Sequence, residues 1–133
     1  MARQTISSGA PWESIVGYSR AVKVGNYVHV AGTTSVDKDG KVVGKDDPYS
    51  QTKQILKIIE AALAEAGATM KDVVRSRIFI TDISQWEAVG RAHGEVFGEI
   101  RPAATMVEVK ALINPELMVE IEVDAYLEPQ DKI

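Results

Sequence analysis

The chain reads as an α+β fold, a mixed β-sheet carrying two helices on one face, and three observations predict it. Residues 48–66 place Ile55, Ile58, Ile59, Ala62, Leu63 and Ala66 at spacings of three and four, with Lys53, Lys57, Glu60 and Glu65 elsewhere around the turn; that is the period of an amphipathic helix. Residues 73–81, VVRSRIFIT, alternate and are rich in β-branched side chains, as a half-buried strand requires. Residues 119–126 alternate throughout, with Val119, Ile121, Val123 and Ala125 opposing Glu120, Glu122, Asp124 and Tyr126. One face of such a strand suits a layer of helices. The other is too charged for a core and meets either solvent or another subunit.

The remaining elements follow in order. Residues 21–32, AVKVGNYVHVAG, contain two short alternating strands around Gly25-Asn26, a pair suited to the positive backbone angles of a two-residue hairpin turn. A turn at Asp39-Gly40 predicts a short return strand through Val42 and Val43. Asp47 followed by Pro48 predicts an N-cap and a proline at the first helical position, with Gly67 as the terminator. In the strand at 73–81, Arg75, Arg77, Phe79 and Thr81 are expected opposite Val74, Ser76, Ile78 and Ile80. Ser84 and Glu87 have capping-box spacing, so a second helix is expected from Ser84, with Trp86, Val89, His93, Val96 and Phe97 on one face and Gly98 closing it. Strands at 104–110 and 119–126 complete a β-rich start followed by βαβαββ-like alternation.

At 133 residues the chain fits one domain able to bury a core unaided. It has no cysteine, which removes disulfides, thiolate nucleophiles and cysteine metal sites. Net charge is −4, with fifteen Lys and Arg residues scattered along the chain. Binding to a phosphate backbone needs a concentrated basic field, so nucleic acid is not an expected partner. The first residues carry no apolar signal region and nothing approaches the roughly 20 apolar residues of a membrane span, so a cytoplasmic location with no membrane partner is expected. HExxH, Walker A, GxGxxG and GxSxG patterns do not occur, and neither a metal nor a cofactor is expected. A small-molecule metabolite is the expected partner.

Two segments carry the functional signal: RPAATMVEV at 101–109 and MVEIEVDAY at 118–126. With Gly17-Tyr18-Ser19, Ala21-Val22, the Gly25-Asn26 turn and Ala31-Gly32-Thr33, they resemble the RidA/YjgF family of imine and enamine deaminases, which shows a GPYSQAV-like stretch, a GN turn, a Pro-Ala-Arg step and an IEIE-like strand. The resemblance implies a chorismate-mutase-like α+β sandwich, a homotrimer, and ligand clefts between neighbouring subunits. It maps the family's pocket tyrosine onto Tyr18 and its water-holding glutamate onto Glu120, and sets Ala31, Ala104 and Met106 along the ligand cleft. The family's carboxylate-binding arginine falls at position 104, where this chain has alanine.

A methyl group cannot imitate a bidentate guanidinium. Losing such a contact in a desolvated site costs on the order of 2 to 5 kcal/mol, so 2-aminoacrylate hydrolysis typical of arginine-bearing members is not the expectation here. Arg75, Arg77 and Arg101 are the candidate replacement cations. Odd spacing along an extended chain turns Arg101 away from position 104, whereas a neighbouring strand can present Arg75 or Arg77 beside Glu108, Glu120 or Glu122. The plainer account of both is cross-strand ion pairing worth roughly 0.2 to 1 kcal/mol per pair. His93 is expected as a hydrogen-bonded, partly buried histidine, and His29 has no carboxylate or second histidine at ligand spacing. Thr105 is expected on the strand face opposite Ala104. Two readings stand: a divergent imine or enamine hydrolase using Glu120, and a non-catalytic metabolite-binding trimer. Ribonuclease action ranks last on composition.

Overall fold

The structure, a computed structural model, describes residues 2–129. Six strands form one sheet in the order β1-β2-β3-β6-β4-β5. They are β1 (Arg3–Ile6), β2 (Ala21–Val24), β3 (Tyr27–Thr34), β4 (Val73–Ile80), β5 (Ala103–Glu108) and β6 (Val119–Tyr126). All neighbours run antiparallel except β4 and β5, which are parallel. A parallel pair needs a crossover, and α3 (Trp86–Phe97) supplies it. The long helix α2 (Pro48–Glu65) joins β3 to β4, and a short helix α1 (Pro11–Val16) precedes β2. The expected α+β architecture is present.

The core lies between the sheet and α2 with α3. Ile55, Leu56, Ile59 and Leu63 of α2 meet Val28 and Val30 of β3, Ile78 and Ile80 of β4, and Val119, Ile121 and Val123 of β6. The alternation read in β6 is the observed one: its four apolar residues are buried and Glu120, Glu122, Asp124 and Tyr126 lie half-buried on the other face. In α2 the Asp47 side chain accepts the Ser50 N–H and Gly67 follows the helix with a φ of 80°. Its buried stripe takes Leu56 where the sequence reading had Ile58, which is only half-buried. Gln51 is fully buried, donating to the carbonyls of Gly44 and Glu116 and accepting from Met118 N–H, so the loops at both ends of the helix layer are tied to α2.

Several expectations are corrected. The hairpin turn uses a positive φ at Gly25 alone (59°). The return strand through Val42 and Val43 shrinks to one bridge, Val36 to Val42. The cap near α3 is Asp82, which accepts from Ser84 N–H and Oγ at the head of a 3-10 turn, Ile83–Gln85, that precedes the helix. That turn rotates Trp86 outward, to 54% exposure, leaving Val89, Ala92 and Phe97 as the buried face. Gly98 does close α3 as its C-cap, but in a right-handed conformation, and the positive φ after the helix comes at Arg101, 56°. In β4 a bulge between Val73 and Arg75 sends Val73 inward and leaves Val74 exposed, because an extra residue shifts the period-two alternation by one. β1 and α1 answer to no sequence expectation.

Candidate functional site

β3 carries a second bulge, and the candidate site is built around it. Val30 pairs with Val123 and Thr33 with Ile121, so Ala31 and Gly32 together face Glu122 of β6. Such a bulge turns the strand and re-aims its carbonyls. Arg20, just before β2, grips it from two directions. Its backbone carbonyl accepts from Ala31 N–H at 2.9 Å. Its Nη1 donates to Gly32 O at 2.8 Å and Thr33 Oγ1 at 2.9 Å. Nη2 donates to the Tyr18 hydroxyl at 3.3 Å. Only 7% of Arg20 is exposed, which is unusual for a residue whose charge is lost from water unless paired and hydrogen-bonded.

The counter-charge comes from α1. Glu13 is buried, and its Oε2 lies 3.9 Å from Arg20 Nε. Burial would raise the Glu13 carboxyl, but hydrogen bonds from Ser8 and Ser7, with the Arg20 charge behind them, outweigh it and hold it below its ordinary range. Gly17 makes this geometry possible: with a φ of 90° it ends α1, and the N–H groups of Gly17 and Tyr18 both return to Glu13 O. A side chain at that backbone conformation is strained. The segment 7–18 is thereby folded against the site and delivers Tyr18 to it.

Glu120 completes the cluster. Its Oε2 lies over Gly32 where a Cβ would otherwise stand, so only glycine leaves room for the carboxyl. Burial pushes the Glu120 carboxyl up, repulsion from Glu122 adds to the rise, and Arg20 opposes it. Beside this cluster a cleft of about 540 Å³ opens on the sheet face away from the helices, lined by Glu13, Tyr18, Ala31, His29, Arg77 and Asp124 among others.

The chain is similar to known proteins along nearly its whole length. The family model described as Endoribonuclease L-PSP matches residues 8–127. The chain belongs to the Endoribonuclease L-PSP (YjgF/RidA) family. An uncharacterised protein of Streptomyces coelicolor is 40% identical over 125 residues, covering 94% of this chain and 92% of that protein. The 3-aminoacrylate deaminase RutC of Acinetobacter baylyi is 36% identical over 104 residues, 78% of this chain and 82% of that one. A crystal structure of a YjgF/YER057c/UK114 family member from Mycobacterium tuberculosis superposes with a TM-score of 0.87 at 54% identity, covering 95% of this chain and 100% of that chain.

Within this YjgF/RidA chain the residues singled out from sequence separate into two groups. Tyr18, Ala31 and Arg77 line the cleft, whereas Glu120 does not line it and is seated on Gly32, the residue next to Ala31. Ala104 and Met106 lie elsewhere. The register sets Ala104 beside Ser76 and Met106 beside Ile78, both of which face the helix layer, whereas Thr105 pairs with Arg77 on the open face. Ala104 is nonetheless exposed, because β5 is an edge strand.

Of the three candidate cations, Arg77 is held by Glu122 at 3.4 Å and Asp124 at 3.1 Å, the cross-strand pairing of the plainer account. Arg101 is not on extended chain; its Nε donates to Gly98 O at 2.9 Å, stopping α3. Arg75 is exposed, in register with Asp124 and Ala103. Glu108 accepts from Ile83 N–H. His29 does have a carboxylate partner, Asp124, at 2.8 Å across the strands, a pairing that sequence spacing could not reveal. His93 is half-buried, 2.9 Å from Ser76 Oγ, as expected. The sequence reading missed Arg20 and Glu13. A signal for Arg20 was present: a charged residue between Tyr18-Ser19 and Ala21-Val22, where the family stretch has glutamine.

Proposed function

We propose that this protein binds a small metabolite at the Tyr18–Gly32–Glu120 site and hydrolyses the C=N bond of an imine, or of an enamine after tautomerisation. The carrying observation is the Glu120 carboxyl itself, seated on Gly32 and raised by burial. A carboxyl raised above its ordinary range is suited to exchange protons with water and an amine. Water adds to the imine carbon as the Glu120 carboxylate takes one of its protons and passes it to the nitrogen; Glu120 then relays the carbinolamine hydroxyl proton to the same nitrogen and returns to carboxylate. The carbinolamine then loses ammonia and leaves a carbonyl compound. Atoms balance as imine plus water to carbonyl plus ammonia, with no redox partner. The similarity to a 3-aminoacrylate deaminase supports the reaction class.

The site is completed by neighbouring copies in a homotrimer. β5 stands two strands from β6, at least about 10 Å away, and Ala104 falls on the opposite face from Glu120. Position 104 and Glu120 therefore meet at one ligand only if they come from different subunits. With alanine there, the substrate differs from the 2-imino acids whose carboxylate an arginine at that position would clamp.

The test is ammonia release across a panel of imines generated in situ, with and without a carboxylate, alongside an arginine-bearing relative. Turnover of members lacking the carboxylate is expected. No turnover by any member, with the relative active, removes the hydrolase reading. A second reading, a non-catalytic binding trimer, is favoured by Ala104 alone. It expects thermal stabilisation without ammonia, about 2.7 kcal/mol at one hundred times the dissociation constant. The acidic balance of the chain, net charge −4, weighs against cleavage of RNA.

A further inference from the structure

Arg20 is the most buried cation in the neighbourhood of Glu120, and the hydrolytic scheme leaves it unused. Both hydrogens of its Nη1 are committed to the β3 bulge, at Gly32 O and Thr33 Oγ1. Thr33 Oγ1 in turn donates to Ala31 O at 2.8 Å, closing the bulge on itself. Gly32 is the floor under the Glu120 carboxyl, and Nη2 reaches the Tyr18 hydroxyl. One guanidinium thus touches the supports of both site residues. A lysine presents a single point charge and cannot span three such acceptors, whereas the planar fork of arginine does so with little further loss of freedom.

We propose that Arg20 is the positioning residue of this site: it fixes the Ala31–Gly32 bulge on which the Glu120 carboxyl rests, fixes the Tyr18 hydroxyl, and places a buried positive charge against that same bulge. The proposal deepens the reading of Glu120 as the acting carboxyl and rests on it, but its test uses no substrate. The charged groups that bear on Glu120 are Glu122 on its own strand and Arg20. Its register partners, Thr34 on β3 and Phe79 on β4, carry no charge. Arg20 is therefore the cation that restrains the upward push of burial and Glu122. The salt-bridge contact with Glu13, itself clamped by Ser7 and Ser8, holds the guanidinium in place from the α1 side.

The experiment is a carbon-13 NMR titration of glutamate side-chain carboxyls in the full chain, with the Glu120 signal assigned by its absence in Glu120→Gln. Arg20→Gln removes the charge and introduces the residue of the GPYSQAV-like family stretch, and Arg20→Lys keeps the charge but loses the fork. The Glu120 midpoint is expected to rise from the parent through Arg20→Lys to Arg20→Gln, the last by about one unit or more. A midpoint in folded Arg20→Gln equal to or below that of the parent overturns the proposal. Should Arg20→Gln not fold, the parent and Arg20→Lys decide: a higher midpoint in lysine sustains the proposal and an identical or lower one overturns it. Absence of deaminase activity moves none of these midpoints, so failure of the hydrolase reading and failure of this one are told apart.

Discussion

The Glu120 carboxyl occupies the space that a side chain at Gly32 would fill. Two residues on neighbouring strands are thereby complementary in size: a glycine inside a strand, which is unfavourable for the strand alone, is the condition for a half-buried carboxyl beside it. The φ of Gly32 is not in the left-handed region, so its role is space rather than backbone freedom.

Gly32→Ala tests that complementarity. The group that must yield is the far end of a flexible glutamate, so the chain is expected to fold with stability within about 1 kcal/mol of the parent. The Glu120 carboxyl is expected to be displaced toward solvent, with its titration midpoint falling toward 4.5, the ordinary value. Urea unfolding and the carboxyl NMR titration check the two halves separately.

Glu120 also costs stability at neutral pH. Its folded pKa is raised above 4.5, so the folded state holds more protons than the unfolded state and stability falls as pH rises from about 4.5 through the folded value. Glu120→Gln is expected to melt at a higher temperature than the parent at pH 7 and to lose this part of the pH dependence. Equal melting temperatures at pH 7 would contradict the assigned environment.

His93 gives the opposite slope. Burial lowers its pKa below 6.5, so the unfolded state takes up the proton first and stability is lost as pH falls below 6.5 toward the depressed folded value. His93→Gln is expected to lose less stability than the parent between pH 7 and 5.5. Thermal melts of the parent, His93→Gln and Glu120→Gln over that range separate the two opposing contributions.

Ala104→Arg places a guanidinium on an exposed edge strand, where room exists. Its effect on stability is expected within about 0.5 kcal/mol. If subunits share the cleft, turnover of carboxylate-bearing imines is expected to gain tenfold or more in kcat/KM, in line with the roughly 2 to 5 kcal/mol carried by a desolvated ionic contact. Steady-state kinetics on matched imines with and without the carboxylate give the answer.

The parts of the fold legible in the sequence were those where a single periodicity decides the outcome. The α2 stripe and the strict alternation of β6 needed no tertiary information. β1 and α1 are silent because four edge-strand residues and six helical ones carry too little pattern, and their places depend on pairing with β2 and on the Glu13–Arg20 contact. Both strand bulges were hidden for the same reason, since an extra residue shows only once the partner strand is known. In the site, Tyr18 and Glu120 were reachable through resemblance. Nothing in the sequence ranks Arg20 above Arg75, Arg77 and Arg101, because strand spacing says where a side chain points but not which cation is buried. Three of those four turned out to hold carbonyls or carboxylates.

Glu120 is the carboxyl on which action at the bound metabolite most directly depends. The decisive measurement is kcat/KM of Glu120→Gln against the parent on whichever imine the panel identifies, with binding of that compound or a stable analogue followed by thermal shift. The predicted result is a loss of at least about a hundredfold, the low end of general acid–base contributions, with ligand stabilisation retained. Undiminished turnover by folded Glu120→Gln would contradict it.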